Sequence, residues 1–245
     1  MKYFRSFDKQ ADAIGVKAYI PTVAIVGGGS VDKVGFFNGD TSKEYIFGED
    51  GDFINVEEKE TRVVCTYNVS SITESIQICD NTIAFTSMEV DGTEVTLATG
   101  YTFDTIGEHT VKFTLKDNTT MSNNAFYYCT GLTSVDIPDS VTSIGNNAFQ
   151  RCKGLTSVTL GNGVTNIGES TFNNCYTITS IVIPSGVTNI GNGAFSGCYE
   201  LSSITYTGTV AQWKAINKAT DWHENAPATT VTCTDGTCGL DDTTA

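Results

Sequence analysis

The cysteines are the most regularly spaced residues in the chain that could do chemistry. Four of the eight follow one another at intervals of 23 residues: Cys129, Cys152, Cys175 and Cys198. A metal site needs its sulfurs to converge on one point, usually from close pairs such as Cys-x-x-Cys, whereas a long constant interval distributes them along an axis. The distance between stacked units could just permit disulfides, but identical ladder positions usually hold reduced, buried thiols. We therefore expect these cysteines to pack a core.

Three other segments have a composition that suggests a site. Cys233 and Cys238 are close enough in sequence for a local bridge or a weak metal pair, and both alternatives stay open. Residues 27–29 (Gly-Gly-Gly) lack the Gly-Lys-Ser/Thr ending of a phosphate loop, so we interpret them as a turn. Residues 49–52 (Glu-Asp-Gly-Asp) predict an acidic turn that could hold calcium weakly, but they lack the spaced ligands of a real calcium loop.

The chain has only two histidines, His109 in a predicted strand and His223 near the C-terminus. No carboxylate pattern accompanies either of them in the sequence, so we expect both to have structural roles. A histidine-activated nucleophile is correspondingly disfavoured. The sequence predicts a protein that is not an enzyme and has no catalytic residues, no cofactor and no bound metal.

Charge and hydropathy exclude further classes of function. The formal net charge is −14, from 28 acidic and 14 basic residues, which argues against nucleic acid and anionic lipid as partners. No stretch approaches the roughly 18 apolar residues that a membrane span needs, so we expect no membrane insertion. Residues 1–8 carry early charges without the apolar core of a signal peptide. We therefore expect the chain to stay in the cytoplasm or to leave the cell without the general secretion route.

The interval of 23 residues extends to several other residue types. Phenylalanine, isoleucine, glycine and valine keep it in the columns Phe126, Phe149, Phe172 and Phe195; Ile144, Ile167 and Ile190; Gly145, Gly168 and Gly191; and Val141, Val164, Val187 and Val210. One such unit cannot bury its own apolar side, so stability requires that neighbouring units stack. Parallel strands about 4.8 Å apart would make four units a block of roughly 20 Å. The chain therefore contains a short solenoid.

Each unit has a strand, a turn and a return segment. Residues 132–137 alternate with period two, and Pro138 ends this predicted strand because it has no amide donor. Val141 and Ile144 form a second inward-facing pair. Residues 146–149 predict a short helical or 3₁₀ turn.

The segments NNAFQRCKGLTSVTL and IPSGVTNIGNGAFSGCYELSSITY resemble the BspA-like leucine-rich repeat family, which occurs in bacterial surface proteins, some protists and bacteriophages. The resemblance covers roughly residues 118–240. Thr171, Ile178 and Gly161 depart from the pattern, where alanine, leucine and proline are usual, and we expect none of them to threaten the fold. The tail also resembles the closing segment of this family. It predicts a cap with Trp213 and Trp222 at its centre, a helix over 211–219, a last strand at 231–233 and a turn at 235–236.

The fold class is mainly β, in four parts. Residues 52–117 contain short β-rich segments about ten residues apart, which predict an Ig-like β-sandwich, and GYTFDTIGEHTVKFTLKD resembles the final hairpin of bacterial Ig-like domains. Cys65 and Cys79 lie in adjacent predicted strands, and no bridge is expected between them. Residues 1–51 are an attachment segment, residues 118–210 the repeat solenoid and residues 211–245 its cap.

Two sets of residues are candidates for binding. The outward positions of the repeated strand form a flat, polar, weakly charged face that suits contact with polysaccharide or protein, and that is also how a plain solvated sheet looks. A column next to the cysteines contains tyrosines, which are common in contact surfaces. The face is Thr133, Asp136, Thr156, Thr159, Thr179, Val182, Ser202 and Thr205, and the column is Lys153, Tyr176 and Tyr199.

These features and the family resemblance lead to a hypothesis about function. The chain would be a non-enzymatic bacteriophage virion protein, such as a head or tail fibre or a capsid decoration, that binds a protein or polysaccharide of the host surface. The N-terminal segment would bind other virion proteins, and homotrimers would be in keeping with a fibre. The alternative is a cell-surface adhesin of a gut bacterium. An intracellular enzyme is disfavoured.

Overall fold

The structure, a computed structural model, describes residues 34–35, 44–47, 53–55 and 61–243. Backbone contacts divide the chain into two units, residues 1–60 and 61–245. The described part of the first unit is an antiparallel sheet of β1 (Val34–Gly35), β2 (Glu44–Phe47) and β3 (Phe53–Asn55). The turns predicted at residues 27–29 and 49–52 lie outside the described residues. No helix in the described residues is long and apolar enough to cross a membrane.

The second unit is built almost entirely from strands. They are β4 (Arg62–Val69), β5 (Ile76–Gln77), β6 (Phe85–Val90), β7 (Thr93–Val95), β8 (Gly100–Tyr101), β9 (Gly107–Leu115), β10 (Thr120–Met121), β11 (Leu132–Ile137), β12 (Ser143–Ile144), β13 (Ser157–Leu160), β14 (Asn166–Ile167), β15 (Ser180–Ile183), β16 (Asn189–Ile190), β17 (Ser203–Tyr206), β18 (Asn217–Lys218), β19 (Thr230–Cys233) and β20 (Gly236–Gly239). A 3₁₀ helix, η1 (Thr82–Ala84), and an α-helix, α1 (Val210–Ala215), complete the list. The predicted mainly β class and the repeat solenoid are confirmed.

The solenoid has one sheet made of very short strands. β10, β12, β14, β16 and β18 pair in parallel, and Ile144, Ile167 and Ile190 stand next to one another on the buried side. An amide ladder that the sequence analysis missed runs beside them. The side-chain NH₂ of Asn189 donates to Asn166 Oδ1 at 2.7 Å, and that of Asn217 donates to Asn189 Oδ1 at 2.8 Å. These bonds hold neighbouring units in register.

Stacked phenylalanine rings form the centre of the solenoid. Phe149 lies between Phe126 and Phe172, with ring centroids 5.2 and 5.3 Å apart and planes within 3° of parallel. Phe195 continues the stack at 5.3 Å. All four side chains are fully buried. The predicted inward columns of phenylalanine and isoleucine are confirmed, at a spacing close to that of paired strands. The valine column is buried except for Val210, which is half-buried and begins the helix α1.

The return segment differs from its prediction. Residues 146–149 form no helix. The chain instead makes successive β-turns, in which the Gln150 amide donates to the Asn147 carbonyl at 3.1 Å and the Cys152 amide to the Phe149 carbonyl at 3.1 Å. Asn147 and Arg151 have φ values of 57° and 63°, which interrupt a right-handed helix at each place.

The longer strands form the second side of the solenoid, in two sheets. One has the order β13-β11-β4-β9-β6-β7 and the other β15-β17-β19-β20. In the part of the chain that the structure describes, β13 and β15 are not paired in one ladder. Between the units of β13 and β15, the Thr177 hydroxyl contacts the preceding unit instead, 3.0 Å from the Lys153 carbonyl and 2.8 Å from the Leu155 carbonyl.

The Ig-like sandwich predicted for residues 52–117 is not confirmed. β4, β9, β6 and β7 form one antiparallel series, and β4 pairs antiparallel with β11, the first long strand of the solenoid. Phe85 and Phe113 pack on Phe126 with ring centroids 5.4 and 5.3 Å away. A solenoid end must be covered, because its strand edge and its core would otherwise be exposed. Residues 61–115 therefore form the N-terminal cap of the solenoid, whereas β3 belongs to the first unit.

The C-terminal cap uses both tryptophans, as predicted. Trp213 and Trp222 are fully buried, and Trp222 covers the end of the phenylalanine stack edge-on, 6.0 Å from Phe195. The helix α1 is shorter than the predicted span 211–219, since it has only six residues, and Thr209 and Gln212 begin it with a capping box. The prediction that residues 231–233 are the last strand is wrong, because β20 follows and pairs antiparallel with β19.

Candidate functional site

The cysteine column belongs to the core of the solenoid. The thiols of Cys152, Cys175 and Cys198 donate to the carbonyls of Phe126, Phe149 and Phe172, at 3.0, 3.1 and 3.2 Å. Burial raises the pKa of the Cys198 thiol to about 12 and raises the pKa values of the other two thiols as well. A thiol is nucleophilic as the thiolate, so the geometry indicates packing.

Each histidine contacts an aspartate that no pattern in the sequence indicated. His109 Nδ1 lies 2.6 Å from Asp91 Oδ2, and its Nε2 lies 2.9 Å from the Thr105 carbonyl. His223 Nε2 lies 3.0 Å from Asp241 Oδ1. These carboxylates are 18 residues from their histidines, so no local pattern could reveal the pairs. The Thr105 hydroxyl lies 3.3 Å from His109 Nε2, farther than the Thr105 carbonyl, and in the described residues no hydroxyl or thiol contacts the His223 ring.

The environment of His109 gives a pH dependence of stability. The hydrogen bond with Asp91 raises the pKa of His109 above its ordinary value, and the Thr105 carbonyl adds to this, while burial opposes it. Protonated His109 can donate to both acceptors. Because its pKa is raised in the folded state, the stabilisation is complete below the unfolded value of about 6.5 and is lost as pH rises through the folded-state pKa.

His109→Gln is therefore expected to lower the free energy of unfolding more at about pH 5.5 than at about pH 8.5, on either side of the ordinary histidine pKa. Urea unfolding of both proteins at the two pH values measures this difference. The wild type serves as control at each pH, so effects common to both proteins cancel. An equal loss at both pH values would show that His109 does not stabilise the fold through its charge.

The outward strand face is exposed or half-exposed, as predicted. Asp136 stands beside Thr159, and Val182 stands beside Thr205, on paired strands. The Thr156 hydroxyl donates to the Thr133 carbonyl at 3.0 Å. The missing ladder between β13 and β15 divides the face into two patches. The first is Thr133, Asp136, Thr156 and Thr159, and the second is Thr179, Val182, Ser202 and Thr205.

Beside this face runs a row of aromatic and cationic side chains, Tyr128, Lys153, Tyr176 and Tyr199, which we call the tyrosine row. The rings of Tyr176 and Tyr199 stack with centroids 5.4 Å apart. Lys153 Nζ lies between the rings of Tyr128 and Tyr176, 6.0 Å from the centroid of the first and 5.5 Å from that of the second. Tyr199 is 58% exposed and Tyr128 is 43% exposed.

Three members of the row were predicted from the sequence, and Tyr128 was not. The other three directly follow the cysteine of their unit, whereas Tyr128 directly precedes Cys129. Its backbone has a φ of 63°, a left-handed conformation that is uncommon for a residue with a large side chain. With the backbone in this conformation, the Tyr128 ring lies beside Lys153.

A shallow polar cavity of about 390 Å³ adjoins the start of the row. Ser75, Gln77, Asp80, Thr99 and Gly100 line it. The side-chain NH₂ of Gln77 donates to the carbonyl of Tyr127, the residue before Tyr128, at 2.9 Å. The described residues contain no group of three or more histidine, cysteine or acidic side chains arranged to hold a metal ion. This region therefore offers aromatic edges, hydroxyls and amides for binding.

Comparison with known proteins identifies the repeat. The family model described as BspA type leucine-rich repeat region matches residues 95–217 in six copies. The match begins earlier than the predicted resemblance over residues 118–240 and ends before the cap is complete. A comparison with curated proteins finds no match.

Several solved structures are similar to this chain. A leucine-rich cell surface protein from Faecalibacterium prausnitzii has 34% identity over 40% of this chain and 32% of its own, with a TM-score of 0.37. The leucine-rich repeat protein of T. pallidum has 29% identity over 36% of this chain and 51% of its own, with a TM-score of 0.30. One from Bacteroides ovatus has 25% identity over 43% and 37%, with a TM-score of 0.28. This chain thus spans about a third to a half of the length of these proteins.

Proposed function

We propose that this chain, which belongs to the BspA-type leucine-rich repeat family, is a non-enzymatic adhesion protein whose solenoid binds neutral polysaccharide along the tyrosine row. The observation that carries the proposal is the row itself. Tyr128 and Tyr199 are exposed at its two ends, and the exposed Lys153 and the half-buried Tyr176 lie between them. A surface that only contacts solvent would not need these aromatic side chains. Aromatic side chains of this kind are enriched in contact surfaces, because they combine a large apolar area with a polar tip.

The periodicity of the row favours a polymeric ligand. Tyr176 and Tyr199 repeat at 5.4 Å, a spacing comparable to the length of one sugar ring, so successive units can make the same contact with successive residues of a chain. The hydroxyl-rich strand face next to the row supplies hydrogen-bonding partners for sugar hydroxyls. Apolar contact from the aromatic rings suits the C–H groups on the ring face of a pyranose, and hydrogen bonds from the strand face suit the hydroxyls around its edge.

Charge favours a neutral ligand over an acidic one. The chain has a net charge of −14, which repels anionic polymers at long range. Lys153 is the one cation of the row, and its ammonium group already lies over two aromatic rings. A neutral polysaccharide avoids the repulsion and does not need a free cation.

Tyr199→Ala is expected to weaken polysaccharide binding about tenfold or more, in the range of a contact-surface tyrosine. Affinity electrophoresis of the full chain through gels containing different neutral polysaccharides measures the effect. Ile83→Ala is the matched control, because Ile83 is also large, apolar and exposed but lies in η1, away from the row.

The proposal fails if Tyr199→Ala and the wild type migrate identically in every gel that retards the wild type. It also fails if no polysaccharide retards the wild type and a bacterial surface protein binds it instead.

We further propose that the protein is displayed on an outer surface, where many copies act together. Multivalent display strengthens contacts that are individually weak. A virion surface, with attachment through the N-terminal segment, and a bacterial cell surface are the two displays that the family resemblance suggests. Antibody labelling of purified virions and protease shaving of intact cells separate them, and a chain detected only inside cells would contradict both.

A further inference from the structure

One pair of cysteines differs from all the others in its position. Cys233 lies in β19 and Cys238 in β20, the hairpin at the end of the sheet β15-β17-β19-β20. Cys238 stands opposite Val231, and Cys233 stands opposite Gly236. Since side chains alternate along a strand, Cys233 and Cys238 share one face of the hairpin as diagonal neighbours.

The local geometry brings the two thiols together. Gly236, directly opposite Cys233, has no side chain, which leaves space for Cys238 to lean towards Cys233. Both thiols are free, and Cys233 is buried while Cys238 is partly exposed. The column cysteines, by contrast, are fully buried and donate to backbone carbonyls.

This hairpin supports the C-terminal cap. Directly after β20, the Leu240 carbonyl accepts from Trp213 Nε1 at 3.2 Å, and Asp241 Oδ1 accepts from Trp222 Nε1 at 3.1 Å. Both indole N–H groups of the cap therefore depend on the position of the segment that β20 holds. A covalent link across the hairpin would fix that segment against the end of the solenoid.

We propose that Cys233 and Cys238 are a thiol pair that low-molecular-weight disulfides oxidise to a cap-locking disulfide. The Cys238 thiolate attacks the small disulfide, whose S–S bond breaks and releases one thiol, leaving a mixed disulfide on Cys238. The Cys233 thiolate then attacks the Cys238 sulfur and expels the second small thiol. The protein loses two protons and two electrons, and the small disulfide takes up both to become two thiols.

The proposal concerns a modification site that is independent of the tyrosine row. Burial, together with the interaction with Cys238, raises the pKa of the Cys233 thiol to about 11. The closing step needs the Cys233 thiolate, so it should become faster as pH rises towards that value. Excess small thiol should reverse the reaction, and the cap is then locked only in an oxidising environment.

The test incubates the folded full chain with oxidised glutathione and then alkylates the free thiols. Intact mass and peptide mapping should show a loss of two hydrogens and a bridge joining Cys233 to Cys238, with the column cysteines still reduced. The midpoint of thermal unfolding should rise by on the order of 5 °C and return when a reductant is added.

Cys238→Ser is the matched variant, because it removes the more exposed partner and leaves the buried Cys233 in place. It should form no bridge, and its unfolding midpoint should not respond to oxidised glutathione. A stable glutathione adduct on Cys238 of the wild type without a bridge would overturn the proposal. So would a bridge between other cysteines, or a Cys233–Cys238 bridge that leaves the unfolding midpoint unchanged.

Discussion

Replacement of Phe149 by alanine is expected to lower the free energy of unfolding by about 3–5 kcal/mol. Phe149 is fully buried, and its ring lies between those of Phe126 and Phe172, at 5.2 and 5.3 Å. The substitution removes apolar contact on both sides and leaves a cavity in the middle of the stack. In a solenoid each unit is stabilised mainly by its neighbours, so damage at this position weakens two interfaces at once.

Urea unfolding followed by tryptophan fluorescence measures the loss, because Trp213 and Trp222 are buried in the cap next to the last unit. Tyr199→Ala is the control, since it removes an aromatic ring of similar size from the exposed surface, and we expect it to change stability by less than about 0.5 kcal/mol. A loss below about 1 kcal/mol for Phe149→Ala would mean that the phenylalanine stack is not the core of the solenoid.

Gly163→Ala is expected to destabilise the fold by about 2 kcal/mol or more, although it adds a single methyl group. A Cβ atom at residue 163 would lie 1.9 Å from the carbonyl oxygen of Asp139 in the preceding unit. Because the clashing oxygen belongs to the backbone, no change of side-chain rotamer can relieve the clash. The two units would have to separate.

The chain contains its own control for this effect. Gly186 occupies the same place 23 residues later, but a Cβ there would meet its nearest atom, the Asn162 carbonyl oxygen, at 3.4 Å. Gly186→Ala should therefore be close to neutral. Thermal unfolding of the two variants side by side measures the difference, and equal effects would show that the close approach at Gly163 does not exist.

Much of the solenoid could be predicted from the sequence, because its structural repeat is also a repeat of residue types. Phe149 and Cys152 recur at one interval, and only inward-facing positions of stacked units require this constancy. The two cap tryptophans were predictable for a related reason, since a solenoid must cover its end and large apolar side chains do so. The outward face followed from the alternation along each strand.

The candidate site was predictable only in part. Tyr176 and Tyr199 share a column of the repeat, and their neighbourhood could therefore be inferred. Tyr128 occupies a different column, whose other members Arg151, Asn174 and Gly197 share its left-handed conformation, so the repeat does not show that its ring lies beside Lys153. The aspartates next to the two histidines were equally hidden, since each pair is 18 residues apart in the chain.

The sequence alone determined that units of 23 residues stack and which side chains they bury. The reason is that the inward-facing positions of stacked units require the same residue types at a constant interval. Only the tertiary structure decided what lies at the N-terminal end of the stack. Alternation in β4 and β9 shows that one face is buried, but it does not say which strand is the neighbour. The expected sandwich is not confirmed, and β4 and β9 belong to the same sheet as the solenoid strand β11. The tertiary structure likewise explains Gly161, which stands where Pro138 and Pro184 stand in the flanking units. Its Cβ would lie 2.4 Å from the Pro138 carbonyl oxygen, and such close contacts between backbones leave no pattern in the sequence.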